Sequence, residues 1–235
     1  MGLLKADGGQ LQALGHSCWE QSVELKRRIG YLSADTQLYP WLTPRAALNL
    51  FSEIRGEDVV ARGLELCERL TLESGLRVRS MSRGNRQKLG LVLALVHRPE
   101  LLVMDEPTSG FDPLVQNIFA ELIQEHTTGG ATVLLSSHTF EEVNRLCHTV
   151  AIVKAGKVVV QDALPELRGR AARRVAIAFQ GEVPAEDPPG LESITRSEGK
   201  LEGQWRGDTG PLVSWCGQIK VKDLEISPPL LDDAF

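Results

Sequence analysis

LLVMDEPTSGFDP, Leu101 to Pro113, is the stretch from which the rest of this chain can be read. Four apolar residues, Leu101 to Met104, run directly into the adjacent acids Asp105 and Glu106. An unbroken apolar run that stops at a polar edge is the pattern of a parallel strand covered on both faces. Ligands of open α/β sheets bind at the carboxyl ends of such strands. Two neighbouring carboxylates there can divide labour. Asp105 can hold Mg²⁺ through water, while Glu106, pointing the other way, can orient or deprotonate an attacking water.

A solvated acidic turn would account equally well for a lone acid pair, but this pair has company. Twenty residues upstream lies MSRGNRQK, Met81 to Lys88. Ser82 can cap a helix whose first turn holds Gly84, Asn85 and Gln87 and whose body is the apolar run Leu89 to Val96. A helix N-terminus with small residues is suited to a phosphate. Downstream, Asp112-Pro113 starts a helix with Val115, Ile118, Phe119 and Leu122 on one face, stopped by Gly129-Gly130. Ala131 to Leu135 then reads as a buried strand leading to Ser136-Ser137-His138. A histidine at a strand terminus beside an acid pair can contact a γ-phosphate or the attacking water.

In order and spacing these four segments resemble the signature motif, Walker B, D-loop and switch histidine of the ATP-binding subunits of ABC transporters. The resemblance runs over about Gly2 to Phe235. It implies an α/β fold, the P-loop NTPase-like sheet of ABC ATPases with a helical subdomain, and a small β-rich C-terminal appendage. It implies ATP and Mg²⁺ as ligands, Glu106 and His138 as catalytic residues and Asp105 at the metal. Ser82, Gly84, Asn85 and Asp112 would touch nucleotide. The implied partners are a membrane-spanning permease subunit and a second ABC ATPase subunit, identical or different. The implied location is cytoplasmic, at the inner face of the cell membrane through the permease. The family's usual signature is L-S-G-G-Q, whereas here Met81-Ser82-Arg83-Gly84-Asn85 puts a charge where glycine is common. Gly8-Gly9-Gln10 is no second signature, because a turn and not a capped helix follows it.

Upstream of the signature, Gly2 to Ser17 reads as a short hairpin. Polar and basic Val23 to Arg28 leads into a strand, Ile29 to Leu32. In the family this strand feeds the Q-loop, whose Gln or Glu helps hold Mg²⁺; the matching position is Ala34, with Gln37 three residues on as the alternative. Thr43-Pro44 starts a helix that Gly56 ends, and a second helix spans about 58 to 72. In the family these helices receive a coupling helix of the membrane subunit, with Tyr39 to Leu42 as the candidate surface here, or else as ordinary loop anchors.

Beyond His138, 149 to 153 and 158 to 160 read as strand, turn, strand. From about Gly169 the composition changes, and Glu182 to Phe235 holds 11 acidic against 5 basic residues. Arg174 to Phe179, Ile194 to Trp205 and Lys220 to Ile226 alternate like strands. The expected organisation is an ABC ATPase domain over 1–168, its helical subdomain over about 43–97, and an accessory domain over 169–235. The ending LEISPPLLDDAF resembles exporter-type members.

No Lys in the chain is followed by Ser or Thr, so G-x-x-x-x-G-K-[ST] occurs nowhere in it. That loop supplies a backbone N–H cradle, a phosphate lysine and a Mg²⁺ hydroxyl. Measured against the family, the chain reads as an N-terminally truncated member that begins some tens of residues late. Two functions follow from this: an exporter ATPase subunit impaired by the missing Walker A, or a non-catalytic remnant that lends its signature helix or a regulatory surface to a heterodimer. A nucleotide-independent scaffold is a distant third.

Composition bounds these readings. With 235 residues and 42% hydrophobic content, the chain can bury a full core. A net charge of -5 without any basic stripe argues against nucleic acid. Cys18, Cys67, Cys147 and Cys216 lie far apart without C-x-x-C, which indicates neither zinc nor a disulfide framework and suits a reducing cytosol. No apolar run is long enough to span a bilayer.

Overall fold

The computed structural model describes residues 2, 4–170 and 172–227, and the side chains of 168–170 lie outside that description. Most of the exporter-like ending, residues 228–235, therefore falls outside the described residues. The chain forms two compact units, 1–139 and 140–235, so the composition break at 169 falls inside the second.

The first unit is built on a parallel sheet in the order β3-β4-β5. β3 (Ile29–Leu32) lies on β4 (Leu101–Asp105) with Ile29 opposite Leu101, and β4 on β5 (Thr132–Ser136) with Asp105 opposite Ser136. Ahead of the sheet come a minimal hairpin, β1 (Gln12–Ala13) with β2 (His16–Ser17), and α1 (Ser22–Arg28). The basic lead-in to β3 is thus helical. Its Lys26, Arg27 and Arg28 fall in the last turn, where cations oppose the helix dipole.

Three helices form the subdomain between β3 and β4. α2 (Pro44–Arg55) starts where Thr43 accepts a hydrogen bond from the Ala46 N–H at 3.2 Å, and it ends at Gly56 in the left-handed region, φ 69°. α3 (Val60–Arg69) starts later than the apolar spacing suggests. The Val59 N–H is taken by Ser52 Oγ and the Val60 N–H by Asp58 Oδ1, which holds the preceding turn outside the helix. α4 (Arg83–Leu95) is buried along most of its length from Gln87 to Leu95, as expected of a helix apolar on all sides. Leu48, Leu70, Leu89, Leu91, Val92, Leu102, Met104 and Phe119 form the core of this unit.

β5 departs from the expectation of a buried strand. Its residues alternate between exposed and half-buried, and Leu134 is 62% exposed. Among the described residues it has one neighbour, β4, so its outer edge and much of its surface remain uncovered. α5 (Pro113–Thr128) connects the two strands.

The second unit opens with α6 (Phe140–Leu146) and a hairpin of β6 (Thr149–Lys154) and β7 (Lys157–Ala163). Their turn places Ala155 and Gly156 at φ 50° and 74°, the two left-handed positions that a tight hairpin needs. After α7 (Leu164–Arg170) comes an antiparallel sheet in the order β11-β8-β10-β9, made of β8 (Arg173–Phe179), β9 (Leu191–Ser197), β10 (Lys200–Trp205) and β11 (Val221–Ile226). The single strand expected over 194–205 is therefore two, separated by a turn at Gly199, φ 70°. α8 (Gly210–Cys216) contributes Leu212 and Cys216 to a core with Val175, Ile177, Leu201 and Trp205. Among the described residues no helix is long and apolar enough to cross a membrane.

Candidate functional site

β4 carries Asp105 to the carboxyl end of the sheet, level with Ser136 of β5. The Ser136 hydroxyl donates to Asp105 Oδ1 at 2.5 Å and accepts from the Glu106 N–H at 3.1 Å. The same N–H also reaches the Ser136 carbonyl at 3.2 Å. Glu106 itself has a left-handed backbone, φ 45°, rare for a residue with a Cβ, so the chain breaks strand alternation at the second acid. Its carboxylate turns to His138, whose Nδ1 lies 2.7 Å from Oε2. Asp105, Glu106 and His138 therefore converge at one sheet edge, tied together by Ser136. Sequence reasoning passed over this serine although it stands in the Ser136-Ser137-His138 run.

The donor set tests the fit to Mg²⁺. Asp105 offers a hard oxygen, but no group of three metal-ligating side chains occurs among the described residues. The carboxylate fits Mg²⁺ as one ligand alongside phosphate oxygens and water, the usual manner in which that ion is held.

Ser82, Gly84 and Asn85 form a second group, at the start of α4. Ser82 Oγ accepts from the Asn85 N–H at 3.2 Å, which makes Ser82 the cap that the sequence suggests. A Cβ on Gly84 would stand 2.6 Å from the Gly110 carbonyl oxygen. Close packing against the loop after Glu106 is thus what requires glycine here. Gly110 in turn has φ 84°. Asp112 uses Oδ1 to cap α5, accepting from the Val115 N–H at 3.0 Å. Phe111 beside it is buried against Phe119, ring centroids 6.2 Å apart. The loop from Glu106 to Asp112 thereby joins the acid pair to the helix of Ser82.

Gln87 is the other residue that sequence reasoning left without a role. It is 2% exposed, accepts from the Thr36 hydroxyl at 2.9 Å and donates to the Ser33 carbonyl at 3.1 Å. A buried amide inside an apolar helix is the signal that could have found it. The loop after β3 is thereby pinned to α4, with Ala34 half-buried within it. Gln37 donates to Asp35 at 2.6 Å, so its amide nitrogen is engaged locally. Further along, Tyr39 and Trp41 stack at 4.8 Å and stand 60% and 66% exposed. Beside them Leu42, Leu50, Phe51 and Ile54 help to line an apolar groove of about 480 Å³.

A parallel sheet with paired acids at its carboxyl edge, a histidine on the next strand end and a capped helix beside them give this unit the α/β architecture of a P-loop-type cassette. Comparison with known proteins gives the family. The family model described as "AAA domain, putative AbiEii toxin, Type IV TA system" matches residues 71–143, the span holding α4, the acid pair and His138. NatA, an ABC transporter ATP-binding protein of Bacillus subtilis, is 36% identical over 171 residues, 70% of each chain. An uncharacterised ABC transporter ATP-binding protein of Alkalihalophilus pseudofirmus is 29% identical over 248 aligned residues, covering 100% of this chain and 91% of the relative. The linearmycin resistance ATP-binding protein LnrL of B. subtilis is 30% identical over 72% of this chain and 56% of its own length. A solved ATP-binding subunit of an ABC transporter superposes with a TM-score of 0.66 at 28% identity, covering 71% of this chain and 72% of that one. The chain belongs to the ATP-binding proteins of ABC transporters. Members of this family bind nucleotide and work with membrane subunits.

Proposed function

We propose that this chain is the ATP-binding subunit of an exporter, coupling ATP binding and hydrolysis to transport through a membrane-spanning permease at the cytoplasmic face of the membrane. The observation that carries the reading is the joined group of Asp105, Glu106 and His138, with the 2.7 Å contact between Glu106 and His138 at its centre. In that role Glu106 accepts the proton of the attacking water at its carboxylate, and His138 holds that carboxylate in place through Nδ1. Asp105, fixed by Ser136, presents an oxygen to the metal. That oxygen would hold Mg²⁺, which would supply positive charge to offset that of the phosphates. Ser82, Gly84 and Asn85 face a phosphate from a helix N-terminus, with Asp112 holding the adjoining loop. The resistance protein among the relatives supports export, and the Tyr39–Trp41 groove suits a helix of the permease.

A second reading is favoured by one feature: the 235 residues contain no G-x-x-x-x-G-K-[ST]. The chain would then lend its Ser82 helix to nucleotide held by a different cassette in a heterodimer, without itself hydrolysing ATP. Mixing the chain with an intact paralogue under Mg-ATP tests both readings. Stimulated hydrolysis that Ser82→Arg removes is expected under either. Sensitivity to Glu106→Gln in this chain favours the first, and indifference to it the second. If the two proteins elute as separate monomers with hydrolysis blocked, neither reading holds.

A further inference from the structure

The outer edge of β5 is where the first unit leaves a strand half-paired. Among the described residues β4 is the only strand beside it. The Thr132 N–H is spent on the Glu100 carbonyl, and the Ser136 carbonyl accepts from the Glu106 N–H, so these two residues turn their backbone groups towards β4. Along a parallel strand that direction alternates from residue to residue. Val133 and Leu135 therefore point N–H and C=O away from β4, where no strand among the described residues meets them. Residues 131–137, Ala-Thr-Val-Leu-Leu-Ser-Ser, hold neither a charge nor a proline, the devices that ordinarily protect a free edge.

The side chains lead to the same edge. Strand register sets Tyr31, Val103 and Leu134 side by side in one apolar row across the sheet. Tyr31 and Leu134 are exposed and Val103 is half-buried, so the row stops, uncovered, at β5. Whatever continues it must bring a strand for the backbone and an apolar residue for Leu134, and β5 itself meets both needs. Laid antiparallel on a second β5 about a two-fold axis at Leu134, it sets Leu134 against Leu134, Val133 against Leu135 and Thr132 against Ser136. Like faces like at every position. The outward groups of Val133 and Leu135 then exchange hydrogen bonds, and the Leu134 pair takes the closer, non-hydrogen-bonded spacing of about 4.5 Å between Cα atoms. We propose that two copies of this chain join through β5, antiparallel and centred on Leu134, into one sheet continuous across both. The pairing needs no nucleotide and is independent of the Ser82 helix.

Sedimentation velocity of the 235-residue chain without nucleotide tests this. A dimer is expected, with a Kd of about 10 μM or tighter. Leu134→Lys and Leu134→Glu each set like charges against one another at the axis. Because Leu134 is exposed, both should fold, with near-UV circular dichroism unchanged. Each is expected to weaken dimerisation about tenfold or more, and an equimolar mixture of the two to regain it, since opposite charges then meet. Leu134→Cys should give, on mild oxidation, a disulfide between position 134 of one copy and position 134 of the other, which peptide mass spectrometry identifies. Should the charged variants not fold, that crosslink is read in their place. A chain still monomeric at about 100 μM leaves the edge to a strand of another polypeptide and overturns the proposal. A folded charged variant that dimerises as the wild type, a mixture of the two that stays monomeric, or a disulfide to any other cysteine overturns it equally.

Discussion

Glu106 joins the strained backbone of the sheet edge to the proposed chemistry of the site. A left-handed backbone costs a non-glycine residue roughly 1–3 kcal/mol, and the bifurcated bond from its N–H to Ser136 holds it there. In a fusion that supplies a phosphate-binding loop, Glu106→Gln is expected to lower turnover by about 10²-fold or more while leaving nucleotide affinity within about twofold. His138→Ala should also lower turnover, and the double variant should be no slower than Glu106→Gln, because the two side chains act as a unit. Additive losses in steady-state kinetics would separate their roles. His97 makes a different prediction. Burial drives its pKa down from 6.5 to about 4, while its Nε2 donates to the Ile29 carbonyl. Since the unfolded chain then binds more protons between those values, this contribution to stability is complete above pH 6.5 and is lost as pH falls towards 4. Urea unfolding followed across that window should show the decline, and His97→Gln should flatten it.

α4 is the element through which the subdomain and the sheet communicate. Its N-terminus presents Ser82, its first turn packs Gly84 on Gly110, and Gln87 one turn further on binds the loop after β3. Gly90 lets that loop close in, since a Cβ there would meet Thr36 Oγ1 at 2.7 Å and Leu32 Cδ1 at 2.8 Å. Gln87→Leu keeps the bulk but removes the amide bonds to the Ser33 carbonyl and the Thr36 hydroxyl, leaving those two groups only their mutual contact of 3.4 Å, so it is expected to cost about 1–3 kcal/mol. Chemical denaturation measures that loss. Amide hydrogen exchange should place it at residues 33–37 and the first turns of α4, whereas a uniform rise in exchange over the whole unit would contradict a local latch.

For the whole molecule, the balance lies between a complete acid–histidine group and a phosphate cradle that these 235 residues do not contain. Backbone N–H groups and a lysine on the phosphates carry much of the affinity in P-loop proteins. The 235-residue chain alone is therefore expected to bind Mg-ATP more weakly than about 100 μM, equivalent to about 5.5 kcal/mol. Equilibrium dialysis with labelled nucleotide decides it, and tighter binding would show that other groups make up the cradle. The uncovered edge of β5 belongs to the same scale, because a parallel sheet ordinarily has neighbours on both sides.

Much of this was legible along the chain because it depends on neighbours in sequence. Ser82, Thr43 and Asp112 each cap their own helix, Gly56 stops one, and the apolar run before Asp105 makes a parallel strand. These are short-range hydrogen-bonding and periodicity effects that a linear reading captures. The helical state of Val23 to Arg28, the division of 191–205 into two strands and the exposure of Leu134 were not legible in this way. Each depends on which surfaces the rest of the chain covers. Ser136 and Gln87 were invisible as site residues for the same reason: their partners lie 31 residues away at Asp105 and 51 away at Thr36. Local chemistry determined where helices begin and which residues bear charge at the sheet edge. Only tertiary packing decided that Glu106 would face His138, because strand register, and not sequence distance, brings two strand ends to the same height.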